Sequence, residues 1–336
     1  MIEILSTLPF TSVQDLGREG QRSLGIVRGG AMDRVAMATA NLLVGNEPTA
    51  AGLEIEMPPI RMRFHHPMRV AVTGAYGEIY LDGMRLAPWW SFPVLPGQQL
   101  DVVPGRSGMR CYIAFSGAGL DVPVVLGSRA THLRVGFGGM EGRVLKPGDR
   151  LRIRFPQADC HIKGQFGVVP APRMLPAAIH NRAQAGETVL RVIPAAEFPL
   201  YTPDSQARFF SAGWKVTTAS NRQGVRLEGE PMQIQQKTEM RSHGIATGVI
   251  QVPPSGQPMI QLADANSAGG YPKMGVVIEA DLWRLAQARP GTVLKFKPAT
   301  QADGQIAQAE IDKYLRDIHW LIRSRQCSDS AMATPK

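Results

Sequence analysis

The sequence predicts a mainly β protein, with β-rich units in tandem, a few short helices and a C-terminal helix. Three observations carry that prediction. Thirty-five glycines and 26 prolines in 336 residues exceed ordinary usage and favour short strands joined by tight turns over a helical bundle. Strand-like segments recur at intervals of roughly 8–12 residues, the spacing of a sandwich or barrel. One small motif appears three times: Leu95-Pro96-Gly97 before Leu100-Asp-Val102, Lys146-Pro147-Gly148 before Leu151-Arg-Ile153, and Arg289-Pro290-Gly291 before Leu294-Lys-Phe296. Proline at the second position of a type II turn presets φ, glycine at the third supplies φ > 0, and the residues that follow alternate as a half-buried strand does. Its return near residue 290 predicts that a β-unit of the first half is repeated in the second.

Taken in order, residues 2–5 and 10–13 read as short strands. Asp33 precedes an apolar-periodic segment, Val35 to Val44, closed by Gly45, which is the signature of a capped helix. Strands follow at Arg69–Thr73, Glu78–Leu81 and Arg110–Phe115, completing a first unit over 1–155. A Pro-rich linker or excursion occupies 156–187. The second unit, 188–300, holds strands at Thr188–Ile193, Trp214–Thr218, Gly248–Val252 and Met259–Leu262, and a short helix over Asp281–Ala288 that stops before Pro290. Ile311, Leu315, Ile318 and Ile322, with Tyr314 and Leu321 beside them, make 301–326 an amphipathic helix, followed by a disordered tail at 327–336.

Composition excludes several classes. The net charge of +9 is spread along the chain, and aromatics at 7% are not interleaved with the cations, so no stacking platform for nucleic acid is expected. Cys111, Cys160 and Cys327 form no CxxC pair, and the seven histidines, including the adjacent His65 and His66, form no metal pattern. No metal is expected. There is no signal-peptide pattern at the start, and no apolar run approaches the roughly 20 residues that span a bilayer. A cytoplasmic protein is expected.

Two stretches concentrate polar chemistry. One is Gln14-Asp15-Leu16-Gly17-Arg18 with Gly29-Gly30-Ala31-Met32-Asp33. The other is Leu262-Ala-Asp264-Ala-Asn266-Ser-Ala-Gly269-Gly270-Tyr271-Pro-Lys273. Each reads either as a tight turn satisfying its own backbone or as part of a site, and together they favour one cleft built from both halves.

These stretches, with Ala40-Asn-Leu-Leu-Val-Gly-Asn46, Leu53-Glu54, Leu126-Gly-Ser-Arg129, Gly138-Gly139, Gly142-Arg143, Gly148-Asp149, Ser220-Asn-Arg-Gln-Gly224, Arg226-Leu-Glu-Gly229, Gly248–Pro254 and Gly256-Gln-Pro258, resemble the KipA family, also described as the 5-oxoprolinase C subunit or allophanate hydrolase subunit 2. The motifs cover most of residues 10–300 in family order. The resemblance implies tandem cyclophilin-like β-barrel units and kinship with the carboxyltransferase part of biotin-dependent urea carboxylase. It implies two partners, a KipI-like B subunit plus a LamB/YcsF-like A subunit, in an ATP-dependent amidohydrolase that opens 5-oxoproline to glutamate, with the isolated chain inactive. ATP would be used by the complex, through a partner or an unusual site, since no P-loop is present. Biotin is not expected here, as no Met-Lys-Met carrier sequence occurs. The alternatives are a regulatory protein that binds a KipI-type kinase inhibitor and a carboxyltransferase component of a biotin-dependent urea or amide carboxylase. The chain departs from the family pattern at Ala195-Ala196, Asn221 and Gln223, and Ala265–Ala268.

Lactam opening and carboxyl transfer both need a polarised carbonyl and a stabilised oxyanion. Backbone N–H groups at Gly269 and Gly270 are candidates for the latter, or these residues form a plain turn. Tyr271 orients a substrate or donates a proton, or else packs its ring. Lys273 and Arg222 bind a carboxylate, or are surface cations. Asp264 is a base, or caps the following turn. That makes Asp264, Tyr271 and Lys273 the catalytic candidates. Gln257 offers donor and acceptor to an amide, and Asn266 adds a second amide. Asp15, Arg18 and Asp33 line the same cleft, or serve as a structural bridge and a helix cap.

Overall fold

The computed structural model describes residues 1–155, 164–170, 187–236 and 240–332, with side chains through 326 apart from that of Arg106. Of the expected linker at 156–187, only 164–170 and Glu187 are among the described residues, and Phe166–Gly167 within it is a short strand. The fold is mainly β. The chain forms two compact units: Met1–Arg18, Gly29–Ala171 and Asp312–Lys336 make the first, and Glu19–Arg28 with Pro172–Ile311 the second.

In the first unit β1 (Ile2–Thr7), β2 (Thr11–Gln14), β3 (Gly52–Glu56), β4 (Ile60–Phe64), β5 (Met68–Leu81), β6 (Met84–Leu86), β7 (Trp90–Val94), β8 (Gln99–Phe115), β9 (Arg150–Leu151) and β10 (Phe166–Gly167) share one sheet. Its main path is β10-β7-β5-β8-β4-β1-β9, and β3 bridges β2 to β8. Ile4, Leu53, Met62, Val72, Ile113 and Phe115 are among the buried residues of its core. The sequence reading divides β5 and β8 too finely. Gly74-Ala-Tyr-Gly77 reads as a turn but is a pair of register shifts within one 14-residue strand, with Gly74 at φ 87°. The same holds for Pro104–Gly108, which lies inside the 17-residue β8.

Helix α1 (Arg34–Leu43) starts where expected: the Asp33 carboxylate accepts from the Ala36 N–H at 2.8 Å, and Gly45 follows the end at φ 80°. Nine of its ten residues are buried, because it packs over β5 and β8 rather than showing a face to water.

In the second unit β11 (Glu187–Pro194), helix α2 (Pro203–Ser211), β12 (Gly213–Val216), β13 (Gly224–Glu228), β14 (His243–Gly244), β15 (Val249–Gln251), β16 (Met259–Gln261), β17 (Ala268–Gly269), β18 (Lys273–Val277), helix α3 (Leu282–Gln287) and β19 (Val293–Pro298) follow in order. Seven of these strands close a barrel in the order β11-β18-β15-β16-β13-β12-β19, sealed by parallel pairing of β19 with β11. β14 and β17 form a separate two-stranded ribbon. Helix α2 escapes the sequence reading, although Thr202 caps it and Pro203 opens it.

The three Pro-Gly turns share one geometry. Gly97, Gly148 and Gly291 have φ of 89°, 89° and 92°. Each turn closes a bond from the fourth residue's N–H to the first residue's carbonyl, at 3.2, 3.1 and 3.0 Å. Each glycine N–H also donates to a neighbouring strand, at Phe64, Ile4 and Val216. The local unit recurs in both halves, as its spacing predicts.

Helix α4 spans Gln301–Met332, so the expected disordered tail is helical through 332. Ala307 and Ile311 pack on Ile278 in the second unit. In the first unit Tyr314 donates to the Val169 carbonyl at 2.9 Å. Ile318 and Ile322 are buried as the periodicity requires, but Leu321 is exposed, since it lies off that face. Among the described residues no helix is long and apolar enough to cross a membrane.

Candidate functional site

The charged side chains in the polar stretch of the first unit are engaged by protein groups. Asp15 accepts from the Gly17 N–H at 2.8 Å, from Ser128 Oγ at 2.7 Å and from the Arg129 N–H at 2.5 Å. Arg18 is only 1% exposed, so it is not a surface cation. Its Nε donates to the Val125 carbonyl at 3.3 Å, its Nη2 donates to the Ala130 carbonyl, and the guanidinium lies 4.6 Å from the Phe137 ring centroid. Asp33 is the α1 cap. Its own N–H donates to Tyr112 Oη at 2.8 Å, and Tyr112 donates to Glu54 at 2.8 Å. Burial and the Glu54 charge hold the Tyr112 phenol well above its ordinary range. Sequence reasoning misses Tyr112 as a polar group because it lies in an apolar strand.

The second unit gathers the other candidates. Arg222 grips Asp264 side-on, Nε to Oδ2 at 2.8 Å and Nη2 to Oδ1 at 3.1 Å, both residues buried. Asp264 is thus the counter-ion of Arg222 instead of a cap for the turn after it. The turn that carries the arginine is held by Asn221, whose Oδ1 accepts from the Gln223 N–H at 2.8 Å. Gln257 spends both ends of its amide on one residue, accepting from the Gly229 N–H at 3.0 Å and donating to the Gly229 carbonyl at 2.9 Å.

Lys273 is buried, and its Nζ lies 3.1 Å from Glu197 Oε1 and within hydrogen-bonding reach of His243 Nε2. His243 Nε2 is 3.5 Å from the same Glu197 oxygen, and its side chain is 42% exposed. The strand ladder brings this about, because His243 on β14 pairs with Gly269 on β17. The sequence reading leaves His243 isolated and passes over Glu197. Neither carries a local signal, since the two stand 46 positions apart by their numbers.

Gly269 and Gly270 do not use φ > 0; tight packing favours them instead. A Cβ at Gly269 would lie 2.5 Å from Ile245 Cδ1, and one at Gly270 would lie 3.0 Å from the Met240 carbonyl oxygen. Tyr271 is 45% exposed, and its carbonyl accepts from Gln251 Nε2 at 3.3 Å. Asn266 is exposed and Ser267 half-buried on the same loop. Tyr201 donates to the Pro272 carbonyl at 3.2 Å, and burial followed by the Glu197 charge raises its phenol.

The segment Glu19–Arg28 belongs to this unit. Arg28 pairs with Glu19 at 2.9 Å and Glu279 at 3.1 Å, and a Cβ at Gly25 would lie 4.0 Å from Ser267 Oγ. Around the 262–273 loop, then, the second unit sets a carboxylate–ammonium–imidazole group beside an exposed phenol and two glycine peptides. Such a set can hold an anion, polarise a carbonyl and exchange a proton.

A family model for the carboxyltransferase domain, subdomains A and B, matches residues 24–298. The chain is 36% identical over 323 residues to the 5-oxoprolinase C subunit of Haemophilus influenzae, covering 96% of this chain and 99% of that one. It is 36% identical over 324 residues to the Escherichia coli protein of the same name, with the same coverage. The crystal structure of Kluyveromyces lactis urea carboxylase superposes with a TM-score of 0.84 at 29% identity, over 94% of this chain and 29% of that one. A model match across most of the sequence, full-length relatives and a shared fold together place this chain in the carboxyltransferase-domain family that includes the C subunit of 5-oxoprolinase.

Proposed function

We propose that the chain is the C subunit of an ATP-dependent 5-oxoprolinase, which opens the lactam of 5-oxoproline to give glutamate. The observation that carries this reading is the 36% identity to two 5-oxoprolinase C subunits over 99% of their length. The partners are a KipI-like B subunit plus a LamB/YcsF-like A subunit. ATP is a co-substrate of the whole complex, bound by a partner or at an unusual site, because this sequence has no P-loop. The complex works in the cytoplasm.

A lactam resists hydrolysis because its carbonyl is resonance-stabilised, so the site must stabilise the charge that develops on oxygen. The peptide N–H groups near Gly269 and Gly270 take that task. Lys273, held by Glu197 and adjacent to His243, supplies positive charge and a proton path. Tyr271 positions the ring. The Arg222–Asp264 pair fixes the loop that carries them.

Reconstitution of the three subunits tests the reading. Glutamate and phosphate are to be released together from 5-oxoproline, with no glutamate from this chain alone. A complete complex inactive on 5-oxoproline overturns it. A second reading, the carboxyltransferase component of a biotin-dependent urea or amide carboxylase, draws on the family model and the urea carboxylase superposition. Carboxylation of urea with an added biotin carrier would select it.

A further inference from the structure

The contacts of Lys273 and His243 fix where the protons sit. Lys273 Nζ faces Glu197 Oε1 at 3.1 Å and also His243 Nε2. An ammonium has three N–H donors and no acceptor, so a hydrogen bond between these two nitrogens requires a bare lone pair on Nε2. The other ring nitrogen agrees. His243 Nδ1 lies 3.0 Å from the Arg241 carbonyl oxygen, which only accepts, so the ring proton belongs on Nδ1. Both neighbours select the same neutral tautomer, with its basic nitrogen turned toward the lysine.

Burial divides the labour. Lys273 is 8% exposed, whereas the His243 side chain is 42% exposed, so water reaches the imidazole far more readily than the amine. Lys273 on β18 and Glu197 after β11 are the charged groups in contact with the imidazole among the described residues. Glu197 Oε1 stands 3.5 Å from Nε2, so the carboxylate that holds the ammonium is also placed to stabilise an imidazolium. The ribbon holds the backbone beneath the ring: His243 pairs with Gly269, and the Ile245 N–H donates to the Ser267 carbonyl at 2.8 Å.

We propose that His243 is a proton relay, which takes a proton from solvent at Nε2 and passes it to Lys273 after the lysine has protonated the substrate. That the receiving atom is a lactam nitrogen rests on the function proposed above. When the lactam C–N bond breaks, its electron pair stays on nitrogen, and that nitrogen takes a proton from Nζ. The neutral amine then takes the Nε2 proton of the imidazolium, and the ring returns to the neutral tautomer. The proton drawn from solvent is balanced by the one released when the hydrolytic water adds to the carbonyl carbon. His243 acts through Lys273, so it is a positioning residue; Lys273 is the group that meets the substrate.

The test has two arms. The first uses the full chain with nitrogen-15-labelled histidine, the His243 signals being assigned by their loss in H243Q. The neutral ring is expected to carry its proton on Nδ1, and its titration midpoint to rise in K273M, where a neighbouring cation is lost. A neutral ring protonated on Nε2, or a midpoint unmoved in K273M, overturns the relay. The second arm uses the complete complex with 5-oxoproline. H243Q offers Lys273 an amide oxygen to bond but cannot carry a proton, so kcat should fall about a hundredfold with KM nearly unchanged. Added imidazole should restore turnover to H243A saturably. Full activity of H243Q, or an H243A complex indifferent to imidazole, overturns the relay and leaves the proposed function standing. If the first arm succeeds and the wild-type complex does not turn over 5-oxoproline, the function falls and His243 stands as the proton donor to Lys273.

Discussion

The two glycine-rich polar stretches look alike on paper and do different work. Gly29 and Gly30 take φ of 61° and 81°, and a Cβ at Gly30 would lie 2.5 Å from the Gly17 nitrogen. The acidic and basic side chains around them, Asp15, Arg18 and Asp33, are buried and serve backbone groups. Gly269 and Gly270 have ordinary φ and flank an exposed tyrosine. A paired glycine marks a backbone need, and the exposure of its neighbours decides whether that need is architectural or chemical.

The sharpest way to break this contrast is Asp15→Ala. Three donors lose a charged acceptor, so stability is expected to drop on the order of 4 kcal/mol in denaturant unfolding. A loss below about 1 kcal/mol would remove Asp15 from the architectural class, since surface changes fall in that range. Lys273→Met reports on the other stretch: turnover by the reconstituted complex should fall on the order of a hundredfold, the usual yield of a positioned proton-transfer group. Unchanged turnover would strip Lys273 of its role. The glycines give a paired comparison. Gly30→Ala should cost about 2 kcal/mol or more, for a left-handed residue with a backbone clash. Gly269→Ala should cost about 1 kcal/mol, since the end of Ile245 can move aside, and should instead impair turnover. Equal stability losses would erase the distinction.

The smallest effect is in acid. Arg143 clamps Asp149 at 2.7 and 2.9 Å, and the Lys146 N–H adds a bond at 2.9 Å. Burial alone would raise the carboxyl, but these bonds outweigh it and hold the folded pKa below the ordinary value. A depressed folded pKa gives stability that is present above the unfolded value and lost as pH falls through the folded one. Asp149→Asn should therefore flatten the acid limb of stability below about pH 4, the usual carboxylate range. An unaltered limb would show that the clamp adds nothing.

The sequence shows best what is local. Asp33 and Gly45 bracket α1, and three Pro-Gly turns foretell three strand starts, because caps and turns act over a few residues. Gly74 and Gly77 mislead, because a bulge and a turn call for the same residue. What joins distant positions is illegible: Asp281 reads as a helix start, yet it holds Arg191 across a separation of 90. Glu197, His243 and Lys273 likewise meet only once β14 and β18 are in place.

Barrel closure has a consequence for synthesis. β19 pairs with β11 on one side and β12 on the other, so it is the stave between strands made much earlier. Until Pro298 clears the ribosome, both edges stay open on the nascent chain, and open edges recruit foreign strands. A stop before Val293 should therefore yield aggregates rather than a smaller soluble protein, and a chaperone would find its client in the interval before that last stave arrives.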